Sequence, residues 1–141
     1  DFIIAIGGGS VMDIAKLSSI LGKGKVSVRQ LLENSELAEK CCKTMMIPTT
    51  AGTGSEATPN SIVAIPEKEL KVGIVNEKMI ADYVILDGEV IKNLPEKIAA
   101  STGVDALAHA VECYTSLKAN PFSDMFAMEA FRLIVKNIEI A

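Results

Sequence analysis

Short apolar runs alternate with polar breaks along the first ninety residues, and the pattern then changes period. Phe2–Ile6 is a five-residue apolar run closed by three glycines, and it predicts a buried strand. After Gly7-Gly8-Gly9-Ser10, the positions Val11, Ile14, Ala15, Leu17 and Ser18 recur at helical spacing. Ser10 is expected as the N-cap of that helix, with Asp13 at the acidic position of a capping box. The stretch from Gly22 to Lys25 ends the helix, and Val28–Lys40 predicts one short helix plus a charged connection. Lys43–Ile47 predicts a second strand. Ser61–Ile65 and Lys71–Val75 predict a hairpin around the turn Pro66-Glu67-Lys68-Glu69-Leu70. Tyr83–Asp87 predicts a further core strand, broken by Gly88.

Past Leu94 the apolar positions recur only at helical spacing. Pro95 suits the first turn of a helix over Ile98–Ser116, with Gly103 as a weak point inside it. Pro121 opens a second amphipathic helix through Val135, and helical spacing continues to Ile138-Glu139-Ile140-Ala141. The expected architecture is α/β: a parallel-sheet domain over 1–94, then the first helices of an all-helical domain over 95–141. No initiator methionine precedes Asp1 and the chain ends inside a helical pattern, so a piece of a longer polypeptide is expected.

Composition narrows the function. Of 141 residues, 49% are hydrophobic and 23% charged, which describes a globular chain. The net charge of −4 and the absence of a basic stripe argue against nucleic acid as partner. No apolar run reaches the roughly 18–20 residues that span a bilayer, so no membrane association is expected. Cys41, Cys42 and Cys113 lack zinc-site spacing and predict reduced thiols in a cytoplasmic protein.

Three groups can carry chemistry. A strand that ends in Gly7-Gly8-Gly9-Ser10 and feeds a helix places backbone amides and the positive helix end at one point, which suits a phosphate. A tight turn that merely needs glycine is the alternative. Ile47-Pro48-Thr49-Thr50-Ala51-Gly52-Thr53-Gly54-Ser55-Glu56 is dense in hydroxyls and glycines, as a bend around a polar ligand would be; a loop of capping threonines is the alternative. If the two strands are parallel neighbours, both loops leave at their carboxyl ends, where ligands of open α/β sheets sit. Asp105 and His109, four residues apart, share one helix face and could give two ligands to a divalent metal. Taken alone, that spacing fits a surface hydrogen bond better.

In this order the three groups resemble the iron-containing, or group III, alcohol dehydrogenases. The matching segments are Ile4–Lys16, Ile47–Glu56 and Thr102–Glu112. The resemblance implies hydride transfer between NAD or NADP and a small primary or secondary alcohol or aldehyde. It also implies a partial dinucleotide-binding domain over 1–94 followed by the start of an all-helical metal-binding domain over 95–141. Gly7, Gly8, Gly9 and Ser10 would bind the cofactor pyrophosphate, Asp13 would belong to the cofactor site, and Thr49, Thr50, Thr53 and Ser55 would line the rest of it. Lys71 would reach the cofactor from the hairpin, and Leu86 would approach the nicotinamide. Asp105 and His109 would be two ligands of iron, with zinc as the alternative metal. That metal would act as Lewis acid on the alcohol oxygen, and no side chain is assigned as catalytic base. The family takes two further histidine ligands from residues beyond these, so the 141 residues alone are expected to be inactive. The full-length form is expected to be a homo-oligomer. Asp87-Gly88 departs from the Asp-Pro common in the family. The rival readings are a glycerol dehydrogenase or dehydroquinate-synthase-like enzyme, and a non-catalytic domain.

Overall fold

The computed structural model describes residues 1–66 and 69–139. Two compact units divide the chain: one comprises Asp1–Thr49 with Gly54–Val90, the other Thr50–Thr53 with Ile91–Ala141.

In the first unit, β1 (Phe2–Gly7), β2 (Lys43–Pro48) and β5 (Tyr83–Val84) form a parallel sheet in the order β1-β2-β5. β1 pairs with β2 from Phe2 opposite Lys43 to Gly7 opposite Pro48. The connection from β1 to β2 runs through α1 (Gly9–Leu21) and α2 (Val28–Glu33). Ser27 caps α2, its hydroxyl accepting from the Gln30 N–H while the Gln30 side chain accepts from the Ser27 N–H. α1 lies on the sheet through Ala5, Met12, Ala15 and Met46. A second cluster, Ile20, Leu31, Ala38, Ile74 and Met79, joins the far end of α1 to the hairpin. That hairpin is β3 (Asn60–Ile65) paired antiparallel with β4 (Leu70–Val75), as the two strand-like runs predict. Its turn includes Glu67 and Lys68, which lie outside the described residues.

Two strands differ from expectation. β1 is not buried on both faces: Ala5 is buried, whereas Phe2, Ile4 and Ile6 are exposed. Period-2 geometry sends alternate side chains to opposite faces, and α1 covers one of them. The strand expected over Tyr83–Asp87 keeps only Tyr83 and Val84 in the ladder, opposite Met45 and Met46, and both are exposed. Ile85 still donates its N–H to the Met46 carbonyl at 2.9 Å before the chain turns away.

The second unit holds α3 (Glu96–Thr115) and α4 (Pro121–Asn137), packed on each other. Pro95 is the N-cap residue of α3, and Gly103 does not break the helix. A Cβ at Gly103 would meet Ile138 at 3.4 Å, an ordinary van der Waals contact. α4 starts with Pro121 behind Asn120, whose side chain accepts from the N–H groups of Phe122 and Ser123. The helical pattern expected on through Ile138 and Glu139 stops at Asn137, with those two residues in a turn, and Ile140 and Ala141 lie outside the described residues. Among the described residues no helix is long and apolar enough to cross a membrane.

Candidate functional site

The parallel pairing of β1 and β2 brings two of the three sequence-predicted groups to one sheet edge. Gly7 sits opposite Pro48, and the Thr49 N–H donates to the Gly7 carbonyl at 3.0 Å. The glycine corner and the start of the threonine bend therefore leave the sheet side by side at its carboxyl edge. A Cβ on Gly7 would lie 2.7 Å from Val11 Cγ2 and 2.8 Å from Val11 Cβ, so the corner admits no larger residue without a shift.

The helix end at this corner differs from expectation. The N-cap is Gly8, in extended conformation, and no side chain caps α1. Ser10 is instead the second helical residue and is exposed. Gly9 takes the first helical position, directly after that cap. No acidic residue lies in the first turn, so nothing there neutralises the positive end of a 13-residue helix. An uncapped N-terminus beside a glycine corner is chemically suited to an anion.

Asp13 is not a capping acid either. Its side chain turns inward: Oδ1 accepts from the Ser55 hydroxyl at 2.6 Å, and Oδ2 accepts from the Ile62 N–H at 3.1 Å. The Ser61 hydroxyl donates to the Asp13 carbonyl at 3.0 Å. Beside it stands Lys16, 0% exposed. The Lys16 ammonium donates to Ser55 Oγ at 3.0 Å, Thr58 Oγ1 at 3.2 Å and the Asn60 carbonyl at 2.7 Å, and lies 3.7 Å from Asp13 Oδ1. Burial pushes the Lys16 pKa below its usual range, and the charge of Asp13 opposes that shift. Asp13 and Ser55, assigned to the cofactor from sequence, are thus spent largely on each other and on Lys16. The sequence reading assigned Lys16 no role of its own. Its signal was position: Met12, Lys16 and Ile20 lie four residues apart on one face, and both apolar neighbours are buried.

The bend itself is divided between the units. Thr49 and Ser55 belong to the α/β unit, whereas Thr50 and Thr53 go with the helical unit. Thr49 and Thr50 are half-buried and Thr53 is exposed. Gly54 has φ of +61°, which reverses the chain into the short 3-10 turn Ser55–Ala57. Within the helical unit, a Cβ on Gly52 would lie 2.5 Å from the Thr102 carbonyl oxygen. Lys71 is exposed on β4 opposite Ala64, and Leu86 is 73% exposed just beyond β5.

On α3, His109 Nε2 lies 3.9 Å from Asp105 Oδ1, with the two side chains 52% and 47% exposed. The pair offers a carboxylate and an imidazole from one face, a donor set that suits iron or zinc. Among the described residues no third histidine, cysteine, aspartate or glutamate joins it. The pair therefore fits a divalent metal as part of a larger ligand set.

Comparison with known proteins agrees with this geometry. Residues 1–88 match the iron-containing alcohol dehydrogenase family, and residues 99–141 match the Fe-containing alcohol dehydrogenase family, C-terminal. The 4-hydroxybutyrate dehydrogenase of Clostridium kluyveri is 43% identical over 141 residues, covering 94% of this chain and 35% of that protein. An iron-containing alcohol dehydrogenase from Thermotoga maritima superposes with a TM-score of 0.90 at 42% identity, over 98% of this chain and 38% of the other. A sulfoacetaldehyde reductase from Bifidobacterium kashiwanohense, solved with NAD+, gives a TM-score of 0.92 at 34% identity, over 99% of this chain and 38% of the other. The chain thus spans little more than a third of each of these three relatives. With a parallel sheet ending in a glycine corner, a threonine bend bonded to that corner and a helical unit bearing the Asp–His pair, the chain belongs to the iron-containing alcohol dehydrogenase family.

Proposed function

We propose that this chain is part of an enzyme that transfers hydride between NAD(P) and a small primary or secondary alcohol or aldehyde. The observation that carries the proposal is the shared sheet edge, where the Thr49 N–H meets the Gly7 carbonyl beside the uncapped start of α1. Gly7, Gly8, Gly9 and Ser10 would hold the pyrophosphate through backbone amides and the helix end. Thr49, Thr50 and Thr53 would offer hydroxyls to the remainder of the dinucleotide, with Lys71 and Leu86 as further contacts. Asp13 and Ser55 would act behind them, fixing the exit of the bend. Asp105 and His109 would supply two metal ligands. When bound, the dinucleotide accepts or donates the hydride, and the metal supplies Lewis acidity at the alcohol oxygen.

The chain's own residues bind and orient; none is assigned to abstract a proton. Two donors make a weak metal site, so the 141 residues by themselves are proposed to turn over no alcohol. The test is a titration of the purified natural protein with NAD+ and NADP+, followed by turnover assays over short-chain alcohols with iron and with zinc. Saturable dinucleotide binding and metal-dependent turnover are expected. A folded protein that binds neither dinucleotide would refute the proposal.

A further inference from the structure

A fully buried lysine is an expensive way to fill a helix face. Taking an ammonium out of water costs several kcal/mol unless hydrogen bonds replace the lost hydration. An apolar side chain at position 16 would pack between Met12 and Ile20 without that cost, so packing alone does not explain Lys16.

The placement of its partners does. All three acceptors, Ser55 Oγ, Thr58 Oγ1 and the Asn60 carbonyl, lie on the one segment that leads out of the threonine bend into β3. Asp13 on the same helix grips that segment from both ends, through the Ser55 hydroxyl and the Ile62 N–H. Lys16 stands about two turns from the start of α1. One rigid helix therefore carries both the open N-terminus at the glycine corner and the anchor of the bend's exit. An ammonium donates to three acceptors at once, which no neutral side chain of similar length can do.

We propose that Lys16 is a positioning residue for the dinucleotide, tying Ser55–Asn60 to α1 so that the bend stays in register with the glycine corner. The inference rests on the dinucleotide reading above. Lys16 touches no reacting atom in it and acts through the segment it holds.

The experiment uses the purified natural protein and its Lys16→Met, Thr58→Val and double variants. It measures dinucleotide Kd, steady-state parameters and thermal melting. Lys16→Met is expected to raise dinucleotide Kd and KM about tenfold, the equivalent of about one hydrogen bond to a charged group. Saturating kcat is expected to stay within about twofold, because transition-state contacts are unchanged. Thr58→Val is expected to weaken binding in the same direction by about twofold to threefold, and the double variant to bind no more weakly than Lys16→Met, since both act through one bond. A folded Lys16→Met variant with lowered melting temperature but unchanged Kd would reduce Lys16 to a stabilising residue and overturn the inference. Additive losses in the double variant would also overturn it. If Lys16→Met yields no folded protein, Thr58→Val decides, and an unchanged Kd there overturns it. Absence of saturable binding by the unmodified protein would refute the dinucleotide reading and the inference together. Tight binding by both the unmodified protein and Lys16→Met would refute the inference alone.

Discussion

Replacing Gly52 by alanine should damage the threonine bend by a predictable amount. The added Cβ would lie 2.5 Å from the Thr102 carbonyl oxygen and 2.8 Å from Thr102 Cβ, whereas ordinary van der Waals contact begins at 3.4 Å. The oxygen and the methyl must therefore separate by roughly 0.9 Å. A carbonyl within the 20-residue helix α3 cannot recede without loosening the helix ladder, so the bend has to move. Overpacking of this kind costs about 1–3 kcal/mol, which corresponds to a fall in melting temperature of about 4–12 °C for a domain of this size. Gly88→Ala is the control, since a Cβ there meets nothing within 4 Å. Differential scanning calorimetry of the two variants, with dinucleotide titration alongside, checks the expectation. Gly52→Ala should lose stability and at least about tenfold in dinucleotide affinity, because an error near 1 Å in a binding loop is costly. Equal melting temperatures for Gly52→Ala and Gly88→Ala would refute the steric reasoning. A lowered melting temperature with full affinity would refute the assignment of the bend to the cofactor.

Gly54→Ala places a side chain at φ +61°, and a loss of about 1–2 kcal/mol is expected by chemical denaturation. Asp82 accepts from the Thr44 N–H at 2.8 Å and pairs with Lys40 at 2.7 Å. Partial burial works against its ionisation, but the bonds from Lys40 and Thr44 outweigh it and hold the carboxyl below the ordinary value of 3.8. Its stabilisation is therefore complete above pH 3.8 and is lost as pH falls through the lower native value; Asp82→Asn should flatten the acid limb of a stability profile. At neutral pH the same change should cost about 1 kcal/mol, since the carboxylate remains partly in solvent. His109→Ala in the natural protein should lower metal content and turnover while leaving dinucleotide affinity within about twofold, as measured by elemental analysis and titration.

The elements most open to reading were those whose period is unambiguous. β2, the β3–β4 hairpin and α4 follow from short apolar runs, the turn between two of them and Pro121 at a helix start, all of which act locally. The strand at Tyr83–Val84 was overextended because an apolar run does not reveal where its partner stops offering hydrogen bonds. Ser10 was misplaced because any of several small residues can begin a helix, and glycine won at position 8 where the chain leaves β1. Motif spacing singled out the corner, the bend and the Asp–His pair as candidates, and the structure places the corner beside the start of the bend. Spacing missed that Asp13 and Ser55 face each other across 42 residues of chain, since such pairing depends on how β3 crosses α1. Lys16 escaped because a lone lysine in a helix is usually solvated, and its four-residue spacing from Met12 and Ile20 carries no sign of a polar partner.

The division of the bend has a consequence for how the molecule assembles. Thr50–Thr53 is flanked on both sides by residues of the α/β unit, yet it clusters with Ile91–Ala141. The helical unit is therefore not one continuous length of polypeptide, and during synthesis its first piece emerges long before the rest. Gly52 must wait for Thr102 to arrive, which makes closure of a long loop part of the folding barrier. Severing the chain after Val90 would leave those four residues without their seat, so residues 1–90 alone are expected to lose the order of Thr50–Thr53.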